Sequence, residues 1–181
     1  MKKGFTLVEL LIVIGILAIL ATAAVVVLNP VELLRQARDS QRLADLDTVA
    51  AAISLWLADE PNPSFSDVGP NSDSTGATSC FFTASSSACT VDTDYDVDGT
   101  GWVGVNFTQV SGGSPIETLP RDPVGSATYF YAFFANDTAK TFELNTTLES
   151  TKFATDEDLD GTDGGDDAAV YEVGNDPGLD L

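Results

Sequence analysis

The sequence predicts an α+β protein: one long N-terminal α-helix packed against a small antiparallel β-sheet head. Three observations predict it. Residues 5–28 are apolar apart from a single formal charge, Glu9. Residues 29–60 continue with apolar side chains at three- and four-residue steps. After Gly101 come three aromatic, β-branched runs separated by Gly, Pro, Asn and Asp.

The first element is a basic head, Lys2 and Lys3, then Gly4, then FTLVELLIVIGILAIL and its apolar continuation. Residues 10–28 carry no charge, close to the roughly 20 residues that cross a bilayer. The two lysines place the N-terminus on the cytoplasmic side. A carboxylate at Glu9 costs about 2.5–3.5 kcal/mol in such a segment, so it needs a partner. Ala21, Ala23 and Ala24 resemble a secretory cleavage site, and removal of the whole run is the competing expectation.

The second element reads VELLRQARDSQRLADLDTVAAAISLWLADE. Leu43, Leu46, Val49, Ala50, Ile53, Trp56 and Leu57 form one apolar stripe, and Arg38, Asp39, Gln41, Arg42 and Asp45 fill the polar remainder. Pro61 and Pro63 stop the helix, and Pro30 is expected to kink or unwind it. A continuous helix over residues 5–60 makes a rod of about 84 Å at 1.5 Å per residue.

Residues 61–100 are rich in Ser, Thr, Asp, Gly and Pro and read as loop, with one short hairpin around Phe81 and Phe82. Cys80 and Cys89 suit a disulfide in a head outside the cytoplasm; two free thiols are the other reading. WVGVNF (102–107), TYFYAFF (128–134) and KTFELNTTL (140–148) read as strands of an antiparallel meander, with a further short strand at residues 169–173. The expected organisation is thus a leader at 1–4, a transmembrane helix at 5–28, an amphipathic helix at 29–60 and an extracytoplasmic head at 61–181.

Composition narrows the function. There are 28 acidic residues against 8 basic, no histidine, and a net charge of −20. Only Arg121, Lys140 and Lys152 are basic beyond Pro61, so the head repels nucleic acid, whose phosphates need clustered Lys and Arg. Without histidine, and with two cysteines, neither a Cys–His nucleophile nor a four-cysteine zinc site can be built. The carboxylates lie in loop sequence, and the chain reads as a non-enzyme. Divalent cations suit such a surface better. DTDYDVDG (92–99) has an EF-hand-like start at Asp94, Asp96 and Asp98, although Val105 stands where a bidentate Glu belongs. Alternation alone would put these aspartates on the wet face of a strand.

GFTLVELLIVIGILAIL resembles the class III signal of type IV pilins and of type II secretion pseudopilins. That resemblance implies cleavage by a prepilin peptidase between Gly4 and Phe5, N-methylation of Phe5, and an apolar helix that stays in the mature protein. It also implies a helical homo-oligomeric filament in which Glu9 of one subunit faces the Phe5 amine of the next. The subunit would wait in the inner membrane at an assembly platform and end in a filament at the bacterial surface. LPRDPVG (119–125) resembles a segment of major pseudopilins and of many bacterial pilins, and DLDGTDGGDDAAV (158–170) is similar to the calcium loop of the major pseudopilin. By that match Asp158, Asp166 and Asp167 are favoured calcium ligands, with Asp160 and Asp163 nearby; a mobile acidic loop is the alternative. The reading is a pilus subunit serving adhesion, motility or DNA uptake. The alternatives are a type II secretion major pseudopilin and a membrane-anchored calcium-dependent surface binding protein.

Overall fold

The computed structural model describes residues 4–74, 80 and 89–181. It falls into two compact units, residues 1–35 and 36–181, divided inside a helix. The expected hairpin at Phe81 and Phe82 lies outside the described residues.

In the first unit, α1 spans Leu7–Leu28 and has no buried residue. It ends at Asn29, whose left-handed backbone (φ 39°) closes the helix through an N–H to the carbonyl of Val25. Asparagine tolerates this conformation because its short amide can bond locally. The helix α2, Pro30–Asp59, then starts with Pro30 in its first position, where a missing N–H costs nothing. The helical stretch from Leu7 to Asp59 is therefore interrupted at Asn29, and proline restarts it. The local unwinding expected from Pro30 is done by the residue before it.

In the second unit, α2 buries Leu46, Val49, Ile53 and Trp56 of the stripe read from the sequence, with Ala52 beside them, while Leu43, Ala50 and Leu57 are half-buried. Burying each of these large aliphatic or aromatic side chains contributes about 1.5–3 kcal/mol relative to exposure. They pack with Phe133 and Ala135 of β3 (Ala132–Asn136), Phe142 and Leu144 of β4 (Thr141–Thr146), and Tyr171 and Val173 of β5 (Tyr171–Gly174). Two short strands complete the sheet, β1 (Asn71–Ser72) and β2 (Thr90–Val91), in the order β2-β1-β3-β4-β5. β3, β4 and β5 form an antiparallel meander, in which the strand near 169–173 takes the place expected of 102–107, and β1 pairs parallel with β2, so the sheet is mixed.

The expected strand at 102–107 is not one. Trp102, Val103, Val105 and Phe107 do enter the core. Their backbone, however, is satisfied piecemeal: Ser66 N–H donates to Gly104 O, Trp102 N–H to Asp94 O and Phe107 N–H to Val97 O. A Cβ at Gly104 would collide with the carbonyl of Asp67, so the chain crosses a loop where a ladder partner would be needed. Asp98 and Asn106 make only an isolated bridge, and Phe107–Gln109 close a 3₁₀ turn. The run at 128–134 becomes strand only from Ala132, because the N–H of Tyr131 is taken by the Asp73 carboxylate at 2.9 Å.

Candidate functional site

Gly4 and Phe5 precede α1 in non-helical, exposed backbone, and a Cβ built on Gly4 would meet nothing within 4 Å. Phe5 is 83% exposed. The bond between them is thus open and outside any helix, the state a peptidase requires of its substrate.

Glu9 has a partner within its own chain. Thr6 caps α1: its hydroxyl accepts from Glu9 N–H at 3.2 Å. Glu9 Oε2 in turn accepts from Thr6 N–H at 2.8 Å and from the Thr6 hydroxyl at 2.9 Å. This reciprocal capping box satisfies helix N–H groups that otherwise have no partner. The T-x-x-E spacing signals it in the sequence. In the single chain the carboxylate is therefore satisfied locally, without a second subunit.

The head holds α2 through a charge cluster that the sequence reading placed on the polar face. Asp39 and Arg42 are both 0% exposed. Arg42 donates to Asp39 at 2.7 Å and to Asp122 at 2.6 Å, pairs with Glu149 at 2.7 Å, and lies over the Tyr129 ring. Burial opposes the Arg42 charge, but Asp122, Glu149 and Asp39 together hold its pKa above the ordinary value. Asp39 also accepts the N–H groups of Glu149 and Ser150. Arg38 forms a two-pronged pair with Glu149, whose carboxyl the two arginines keep below the usual range against the effect of partial burial. The sequence signals were the i, i+3 spacing of Asp39 and Arg42 and the aspartate inside LPRDPVG. Asp122 uses its second oxygen on the N–H groups of Val124 and Gly125, so that segment is folded around the arginine's acceptor. Asp73, beside it, is pushed up to about 6 by burial, against hydrogen bonds from Asp122 and Tyr131 N–H.

The acidic C-terminal segment forms a short helix, α3 (Leu159–Thr162), and a loop before β5. Asp158 sits in left-handed backbone at the start of α3. Asp160 is 5% exposed and its Oδ1 has no hydrogen-bond partner. Asp163 spends one oxygen on Gly165 N–H and the other on Glu172 N–H. Asp167 accepts from Ala169 N–H. Asp166 lies close enough to Glu172 and Glu143 to raise both carboxyls. Among the described residues, no three carboxylates converge to hold a metal ion. Asp94, Asp96 and Asp98 are spread along a loop in the same way. Asp94 accepts the N–H of Asp96, and Asp98 accepts that of Thr100. Cys80 and Cys89 form a disulfide.

Under the acidic loop lie Glu143 and Glu172, which the sequence reading did not single out. Burial is the main cause that raises both, with Glu172 pushed up to about 8 and further lifted by Glu143, Asp163 and Asp166. The pattern along β4 hides them: every residue from Phe142 to Thr146 is buried, because both faces of this strand are covered.

Residues 1–25 match the prokaryotic N-terminal methylation motif. α1 begins a helical stretch long and apolar enough to cross a membrane. Together they fit the class III signal of type IV pilins and pseudopilins. No curated protein and no solved structure matches the chain.

Proposed function

We propose that this protein is the structural subunit of a type IV pilus-like filament. The observation that carries the reading is the methylation motif at residues 1–25 ending its leader at an exposed, non-helical Gly4–Phe5 junction. A prepilin peptidase cuts there, and the new Phe5 amine is methylated. The leader takes Lys2 and Lys3 with it, and α1 remains as the membrane anchor.

Assembly then exchanges partners. In the single chain Glu9 is satisfied by Thr6. In the filament it neutralises the Phe5 amine of an adjoining subunit, and only the correct axial stagger satisfies both charges. Such a pair sets register more than it adds stability, because its desolvation offsets much of its attraction. The exposed side chains of α1 gain little by leaving lipid for other helices, since lipid tails are equally apolar. Extraction therefore needs work from an inner-membrane assembly platform. The contacts are head-to-tail and non-closing, the geometry that yields filaments. The filament reaches the cell surface, where adhesion, motility or DNA uptake would follow.

The segment LPRDPVG favours a second reading, the major pseudopilin of type II secretion. Electron microscopy of cells separates the two: long surface filaments containing this chain support the pilus, and their absence with loss of secretion in a deletion strain supports the pseudopilus. A membrane-anchored calcium-dependent binder makes a third outcome. Charge reversal, Glu9→Lys, should abolish filaments while membrane insertion persists; intact filaments in that variant would reject polymerisation through Glu9. Calcium at Asp158, Asp160, Asp163, Asp166 and Asp167 is a separate proposal, tested by whether chelation lowers protease resistance of the loop.

A further inference from the structure

We propose that a groove on the outer face of α2 receives the loop at residues 121–124 of a second copy of this chain, with Arg121 of that copy meeting Asp47. The inference rests on the filament reading and names a contact between heads that the reading leaves open. Asp47, Thr48, Ala51 and Leu55 share one side of α2, away from the buried Leu46, Val49, Ile53 and Trp56. With Ala52, Pro115 and Ile116 they line an open groove of about 420 Å³. Thr48 and the two alanines leave room in it, Leu55 is 48% exposed beside them, and Asp47 is the one charged residue among those described that line it.

Charge identifies the occupant. The chain carries −20, so two heads repel wherever acid faces acid, and a contact between them needs a cation. Among the described residues every other arginine and lysine is committed to an ion pair within the chain. Arg35 goes to Glu32, Arg38 and Arg42 to Glu149, Lys140 to Asp137 and Lys152 to Glu157. Among those same residues Arg121 forms no ion pair, and Asp47 has no cation beside it.

The second, independent observation is how the loop presents that cation. The Arg121 guanidinium lies over the Tyr95 ring, 5.9 Å from its centre, and a Cβ on Gly125 would meet it at 3.8 Å. Asp122 braces the turn from behind: it is buried on Arg42 and accepts from the N–H groups of Val124 and Gly125. Arg121 and Pro123 face solvent, and Val124 is 43% exposed. A cation and an apolar side chain thus stand on one fixed turn, and the groove offers an apolar trough with a carboxylate on its lining. The two surfaces differ, so the contact is head-to-tail and does not close. A contact this small is weak alone. In a filament α1 holds the copies together, and at that local concentration a weak second contact is enough to orient the heads.

The test uses the full-length protein in the cells that make it. With the photo-cross-linker p-benzoylphenylalanine at the exposed position of Ala51, irradiated filaments should yield a dimer. Mass spectrometry should place its cross-link on residues 121–125 of the second copy. Asp47→Arg and Arg121→Asp should each cut filament yield at least about tenfold. The variant carrying both changes should recover it, which a folding defect in either single variant could not produce. A cross-link on another segment of the second copy, on a different protein or on lipid overturns the proposal. So does a double variant no better than the single ones. Parent filaments that show neither the cross-link nor the recovery reject this contact and leave polymerisation through α1 standing; a parent that makes no filaments rejects both.

Discussion

The charges of the N-terminal segment and those of the head are satisfied in opposite ways. Glu9 is exposed, and its partner is Thr6, three residues away in the same helical turn. Asp39 and Arg42 are also three apart on one helix, but they are sealed among Asp122, Glu149 and Tyr129, which come from distant parts of the chain. A local cap can be given up for another partner at small cost. A buried network cannot be opened without leaving charge in a dry interior. The first arrangement suits a segment that must change environment, and the second suits a head that must keep its shape.

The largest effect should come from breaking the buried network. Arg42→Ala leaves three carboxylates without their shared cation and should cost about 3–5 kcal/mol in urea unfolding. Arg42→Lys keeps the charge but not the forked geometry and should recover only part of the loss. A cost under about 1 kcal/mol for Arg42→Ala would put the cluster on a par with a surface pair and erase the contrast.

Next comes pH. Asp73 is raised from 3.8 to about 6 by burial, so the folded head holds a proton there that the unfolded chain releases. Its contribution is complete below about pH 4 and is lost as pH rises through about 6, worth up to about 3 kcal/mol at 1.4 kcal/mol per unit. Glu149 works the other way: its lowered carboxyl stabilises the head at neutral pH, and that part fades in acid. Asp73→Asn should flatten the decline between about pH 4 and pH 7 in urea-unfolding measurements. An unchanged decline in that variant would move the titrating group elsewhere.

The smallest effect is at the cap. Thr6→Ala should cost the isolated helix about 1 kcal/mol, seen as fraying of its first turn by amide exchange in micelles. A far larger cost would mean that Thr6 binds Glu9 as firmly as the buried carboxylates bind Arg42, and the contrast would fail from the other side.

How much of this was legible in the sequence depended on whether the signal was local. The apolar run, the stripe at Leu46, Val49, Ile53 and Trp56, and the strands β3, β4 and β5 follow from local pattern, and each lies within a few residues of its expected place. Trp102 to Phe107 alternates like a strand, yet its backbone partners are loops, and alternation reports burial without naming the hydrogen-bond partner. Asp39 and Arg42 read as polar-face residues because nothing local announces the distant Asp122 and Glu149. Glu143 was hidden for a related reason: a strand covered on both faces shows no alternation that separates a wet side from a dry one.

A subunit that polymerises through α1 keeps that helix and begins at Phe5. Mass spectrometry of the protein purified from membranes or filaments tests it directly. The expected mature N-terminus is N-methylated Phe5, with Met1 to Gly4 gone. A mature chain beginning beyond Ala24, with α1 removed, would contradict it.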